Sequence, residues 1–200
     1  MFYLLVRTVS RAVLRLFFRF NVTGASYIPL QGPVIVVSNH TSYLDPLILG
    51  VASPRRLNFM AKAELFDIPV FRRAISALGA FPVKRGAPDR QALRKATSIL
   101  REKRCLAVFP EGGRRFDGLG KPERGTALLA RQAGALIVPA GIIGANKVKS
   151  MGSRFPRLAK ILVHIGRPIS VPADADKEEM QKIMEEVMGR IAELIGEVHG

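Results

Sequence analysis

Five short apolar runs punctuate the chain: PVIVVSN (33–39), LNFMAK (57–62), CLAVFPEG (105–112), ALIVPAGI (135–142) and KILVHIG (160–166). PVIVVSN, ALIVPAGI and KILVHIG are rich in β-branched residues, and each of the five runs predicts a buried strand. Between them, apolar positions recur with helical spacing near 44–52, 65–78, 89–103 and 124–134. Strands that alternate with helices predict an α/β fold, a single domain with a central, mostly parallel or mixed sheet flanked by helices. The last segment aligns Met180, Ile183, Met184, Val187, Ile191, Leu194, Ile195 and Val198 on one helical face. Asp176 followed by Glu179 resembles a capping box. A C-terminal helix over about 176–198 is therefore predicted to pack on a domain spanning 21–200.

The first twenty residues follow another pattern. MFYLLVRTVSRAVLRLFFRF places Arg7, Arg11, Arg15 and Arg19 four apart, on one slowly drifting helical stripe, with Phe, Leu, Val and Tyr filling much of the rest. A membrane-spanning helix is a poor fit, because each arginine would cost about 2.5–3.5 kcal/mol at the bilayer centre on insertion scales. No uncharged run reaches the length needed to cross, and a signal peptide would need an uninterrupted apolar stretch and a small-residue cleavage site. Two readings remain. Residues 1–20 form a basic amphipathic helix at the membrane interface, arginines among lipid phosphates and the apolar face in the acyl boundary, or they pack on their own domain with the arginines snorkelling.

Charge sharpens the picture. The formal net charge is +15, which implies an anionic partner: phosphate-bearing ligands, nucleic acid or an anionic leaflet. Residues 174–197 hold eight of the sixteen acidic residues and only three of the thirty-one basic ones, so the basic character belongs to the body. Nucleic acid is disfavoured by 7% aromatic content, the absence of Trp and the lack of a zinc-finger or RNA-recognition signature. The single cysteine, Cys105, excludes an intramolecular disulfide and suits a reducing compartment. In its apolar strand it reads as a buried thiol. His164 reads as a strand residue and His199 lies beside the terminus, so neither joins His40 as an evident metal ligand.

The candidate chemistry lies where predicted strands run into loops. VIVVSNHTSYLD carries the first histidine, His40, and five residues later the first carboxylate of the chain, Asp45. LAVFPEGGRR carries Glu111, Gly112, Gly113, Arg114 and Arg115. Glycines let a backbone approach an oxyanion closely, and arginines offer forked donors suited to phosphate. An imidazole titrating near 6.5 can act as a general base, with a carboxylate on its other nitrogen fixing the tautomer. Positions 40 and 45 lie about 140° apart on an ideal helix. His40 must therefore precede the helix or sit in its first turn for the two side chains to meet. No Gly-x-Ser-x-Gly elbow and no P-loop occurs.

Taken together, four motifs resemble the glycerolipid acyltransferases typified by 1-acyl-sn-glycerol-3-phosphate acyltransferase: NHTSYLD (39–45), GAFPVKRG (79–86), FPEGGRR (109–115) and IVPAGI (137–142), in the family's order. KAELF (62–66) resembles the segment usually found between the first two, and the likeness covers about residues 25–170. It departs at Gly113, where threonine is usual, at Arg115, where serine is usual, and at Glu123, where lysine is common. The resemblance implies acyl transfer from acyl-CoA or acyl carrier protein to the free hydroxyl of lysophosphatidic acid, giving phosphatidic acid, with no cofactor beyond the acyl donor. It implies His40 as general base and Asp45 as its orienting partner. Lys62, Arg85, Glu111, Gly112 and Arg114 would bind the acceptor's glycerol phosphate. It also implies a protein peripheral or monotopic on the cytoplasmic face of the cell membrane, partnered with membrane lipid and the acyl donor, and with no nucleic acid. Two alternatives stand beside it: the same chemistry on glycerol 3-phosphate or another lysolipid, and a non-catalytic basic binding module.

Overall fold

The computed structural model describes residues 2–84, 89–110, 113, 119–120, 122, 125–148 and 157–196. In chain order its elements are α1 (Phe2–Phe18), β1 (Asn21–Thr23), β2 (Val34–Ser38), α2 (Asp45–Ala52), β3 (Leu57–Lys62), α3 (Pro69–Ala77), β4 (Ala80–Val83), α4 (Arg90–Arg101), β5 (Cys105–Val108), α5 (Gly125–Ala133), β6 (Leu136–Ile143), α6 (Ala145–Val148), β7 (Leu162–Ile165) and α7 (Lys177–Ile195). The described strands form one seven-stranded sheet in the order β1-β7-β6-β2-β5-β3-β4. Strands β6, β2, β5, β3 and β4 run parallel, while β7 is antiparallel to β6 and β1 runs parallel to β7.

The α/β expectation holds, and helices cover both faces. Val34 and Val36 of β2 point into one core with Leu14 of α1 and Ile48, Leu49, Val51 and Ala52 of α2. Ile35 and Val37 point into the other, with α4, α5 and the Met180, Met184, Val187 and Ile191 stripe of α7. All five β2 residues are buried, as a central strand covered on both faces requires.

The short elements are where pattern reading fell short. β1 is three residues long and β4 contains Pro82, which suits its place at the sheet edge. The helix predicted over 65–78 is split. Ala63–Phe66 forms a 3-10 turn, Ile68 is extended ahead of Pro69, and α3 begins at that proline. The strand predicted over 105–112 stops at Val108, and its last two residues lie outside those described. Gly79 joins α3 to β4 at φ 95°, where a β-carbon would stand 2.7 Å from the Leu57 carbonyl oxygen. Asp176 caps α7 by accepting from the Glu179 amide at 2.8 Å, and Gly196 ends the helix in a left-handed conformation.

α1 lies along α2 with Tyr3, Val6, Arg7, Ser10 and Leu14 turned inward. Arg7 therefore leaves the arginine stripe expected at lipid phosphates: its guanidinium donates to the Ser53 carbonyl at 2.7 Å. Arg11, Arg15 and Arg19 stay exposed. Phe2, Leu5, Val9, Val13 and Leu16 form a second, uncovered apolar stripe. No helix among the described residues is long and apolar enough to cross a membrane.

Candidate active site

The parallel strands β2, β5 and β3 all end at one edge of the sheet, so the loops that follow them gather there. β2 runs out at Ser38, and the next residue continues the ladder with its side chain. The Asn39 amide donates to the Ile142 carbonyl at 2.9 Å and accepts from the Ile142 amide at 2.8 Å, pinning the start of the loop to β6. His40 follows, with four more residues before α2 begins at Asp45. Because it precedes the helix, the chain can fold its ring back onto the first helical residue.

That residue is Asp45, fully buried at the N-terminus of α2 with Pro46 beside it. Its Oδ2 accepts from His40 Nδ1 at 2.9 Å and from the Thr41 and Ser42 amides at 2.7 Å each. Three N–H donors thus converge on one oxygen at the helix N-terminus. The other oxygen, Oδ1, is buried without a hydrogen-bond partner among the described residues. Ser42 completes the turn: its carbonyl accepts from the Asp45 amide, and its Oγ from the Leu44 amide.

Asp45 thus fixes the His40 tautomer, with the proton on Nδ1 and the lone pair of Nε2 free to accept. The ring stacks on Phe109, which follows β5, with centroids 4.2 Å apart and planes inclined by 22°. An aromatic face on one side and a carboxylate at the edge leave the imidazole little rotational freedom. Among the described residues no hydroxyl or thiol is hydrogen-bonded to Nε2. The Cys105 thiol cannot serve: it begins β5 opposite Val34, at the far end of the sheet, and burial pushes its pKa up to about 11.

The predicted site residues divide into three groups. His40 and Asp45 are brought into direct contact. Lys62 ends β3 at the same sheet edge, half-exposed, and pairs with Glu64 at 3.0 Å rather than with either of them. Arg85, Glu111, Gly112 and Arg114 lie outside the described residues. Two contributors escaped the sequence reading, Asn39 as the clamp and Phe109 as the platform. Adjacency of β2 and β5 would have been the signal for Phe109, since parallel neighbours deliver their following residues to the same edge. Among the described residues no group of three His, Cys, Asp or Glu could hold a metal ion. His164 meets Thr23 across β7 and β1 at 3.3 Å.

Residues 19–143 match the family described as Acyltransferase. The chain is 33% identical over 141 residues to a chloroplast 1-acyl-sn-glycerol-3-phosphate acyltransferase of Arabidopsis thaliana, covering 68% of this chain and 39% of the relative. It is 32% identical over 139 residues to the 1-acyl-sn-glycerol-3-phosphate acyltransferase of Streptococcus pneumoniae, of which it spans 50%. It thus spans half or less of these relatives, whereas the alignment with the Bacillus subtilis enzyme of the same name covers 87% of each chain at 27% identity. Among solved structures, the 1-acyl-sn-glycerophosphate acyltransferase of Thermotoga maritima superposes with a TM-score of 0.78 at 28% identity, over 96% of this chain and 79% of that one.

Proposed function

This chain belongs to the acyltransferase family, and on that footing we propose that it moves a fatty acyl group from a thioester donor, acyl-CoA or acyl carrier protein, to the free hydroxyl of lysophosphatidic acid. The observation that carries the reading is the His40–Asp45 pair, with Nδ1 committed to Asp45 and Nε2 uncommitted. The names of the similar proteins supply the acceptor class.

In this mechanism the acceptor hydroxyl gives its proton to His40 Nε2 as its oxygen attacks the thioester carbonyl. Asp45 holds the ring and stabilises the imidazolium that forms. Collapse of the tetrahedral intermediate breaks the carbon–sulfur bond, and the departing thiolate takes the proton from Nε2. The ester and the free thiol leave, and His40 is neutral again. No acyl-enzyme is needed, which fits the lack, among the described residues, of a hydroxyl or thiol bonded to Nε2. The donor serves as substrate, and no cofactor takes part. Glu111, Gly112, Arg114 and Arg85 bind the glycerol phosphate, with Lys62 adding positive charge at the rim. Because the acceptor is a lipid, α1 meets the membrane surface through its uncovered Phe2, Leu5, Val9, Val13 and Leu16 stripe, on the cytoplasmic face where the thioester donors are made.

The test offers purified protein labelled acyl-CoA and acyl carrier protein, each with lysophosphatidic acid, glycerol 3-phosphate and unphosphorylated lysolipids. Labelled phosphatidic acid is the expected product. Acylation of glycerol 3-phosphate alone would reassign the acceptor, and no acyl transfer would leave a binding module. Arg114→Ala should weaken use of phosphorylated acceptors selectively, and an equal loss on unphosphorylated ones contradicts its phosphate role.

A further inference from the structure

The edge of the sheet that carries His40 has an apolar projection that the proposed chemistry does not use. β3 ends at Lys62, and the chain continues through the 3-10 turn at Ala63–Phe66 to the start of α3. Leu65, Ile68, Pro69 and Val70 are all exposed, Val70 to 78%, and Arg72 and Arg73 follow, exposed as well. Large apolar side chains clustered at a turn with arginines behind them match the layering of a bilayer surface, tips among acyl chains and guanidinium groups among phosphates. The acids of the segment are Glu64, which is bridged to Lys62, and Asp67.

The helix that follows the projection is linked to α1 through one residue. Arg56 lies with its guanidinium 5.0 Å over the Tyr3 ring of α1 and donates to the Ala77 carbonyl at the end of α3 at 2.7 Å. The connections β2-α2-β3 and β3-α3-β4 advance across the sheet in the same direction. Right-handed crossovers therefore put α2 and α3 on one face, the face on which α1 packs. The acid-rich helix α7 lies on the other face with α4 and α5. On that face α4 is basic, through Arg90, Arg94, Lys95 and Arg101, so it is α7 and not the whole face that would repel an anionic surface.

We propose that the turn Leu65–Val70, with Arg72 and Arg73, is a second lipid-inserting element that docks with α1 on an anionic bilayer and holds the His40 edge of the sheet against the headgroups. The inference rests on the reading that the acceptor is a lipid. β2 and β3 are separated only by β5, which sets the strand that leads into the projection about 10 Å from the strand that leads to His40. An acceptor rising from the leaflet beside this turn would reach the imidazole without crossing open water.

The chain contains no Trp, so single tryptophans report directly. Val70→Trp, Leu16→Trp on α1 and Leu93→Trp on the exposed side of α4 are compared in the full chain, with vesicles of phosphatidylcholine and phosphatidylglycerol in equal parts, plain and brominated. A blue shift and loss of intensity to brominated lipid are expected at Val70→Trp and Leu16→Trp, and neither at Leu93→Trp. A response at Leu16→Trp alone, or at no position, overturns the proposal. So does a blue shift at Val70→Trp that grows with protein concentration without vesicles, which would assign the patch to self-association. Ile68→Asp with Val70→Asp should lower the vesicle-bound fraction and leave acyl transfer to a monomeric short-chain acceptor unchanged. Activity on that soluble acceptor, read separately, distinguishes failure of this docking from failure of the acyltransferase reading.

Discussion

Asp45 accepts three hydrogen bonds through one oxygen, and an asparagine there could match only part of that arrangement. Asp45→Asn keeps the size but lets the amide face the Thr41 and Ser42 N–H groups or His40 with the wrong end. By analogy with other histidine–carboxylate pairs a fall in kcat of about 10³–10⁴-fold is expected, measured at saturating donor with the melting temperature as control. Asn39 makes a different prediction, because its two bonds replace a rung of the sheet in a buried position. Asn39→Ala strands the Ile142 N–H and carbonyl, and should cost about 2–4 kcal/mol in urea unfolding. Cys105 supplies a pH prediction. Its folded pKa is raised by burial to about 11, so the stability it contributes is complete below the pKa of the unfolded thiol and is lost as pH climbs through about 11. A thiol reagent at pH 8 should leave native protein unlabelled and label it fully in denaturant. Of the site, His40 and Asp45 were legible because their sequence separation and the helix angle dictate how they can meet. Phe109 and Asn39 were not, since their roles depend on which strands become neighbours.

Elements were legible where periodicity ran long. β2, β6 and α7 carry buried patterns of several residues, whereas β1 and β4 are three and four residues long and owe their strand geometry to partners. α1 shows the same limit from the other side. Arginines every fourth residue suggested one common role, but the packing of Tyr3, Leu14 and Phe20 turned Arg7 inward. Removing residues 1–20 would therefore strip Leu14 and Phe20 from the core as well as removing a membrane contact. Substitution on the outer stripe separates the two effects: Leu5→Asp with Leu16→Asp should shift the protein from vesicle-bound to free in flotation and leave thermal stability nearly unchanged. Unaltered flotation would argue against α1 as a membrane contact.

At the scale of the molecule the sheet separates two helix layers: one face carries α1, α2 and α3, with uncovered apolar side chains and arginines, and the other carries the acidic helix α7 beside α5 and the basic α4. The loop that carries His40 sits at the strand ends between them, where α2 begins. With a formal charge of +15, binding to anionic vesicles should weaken as salt rises, because screening shortens the reach of exposed charges to about 8 Å at physiological ionic strength. Apolar insertion should leave a salt-resistant remainder. The most direct measurement is the rate of acyl-ester formation by His40→Ala against the wild type, with vesicle binding and melting temperature matched. A loss of about 10²–10⁴-fold in kcat is expected if Nε2 takes the acceptor's proton. Turnover close to wild type would show that the proton goes elsewhere.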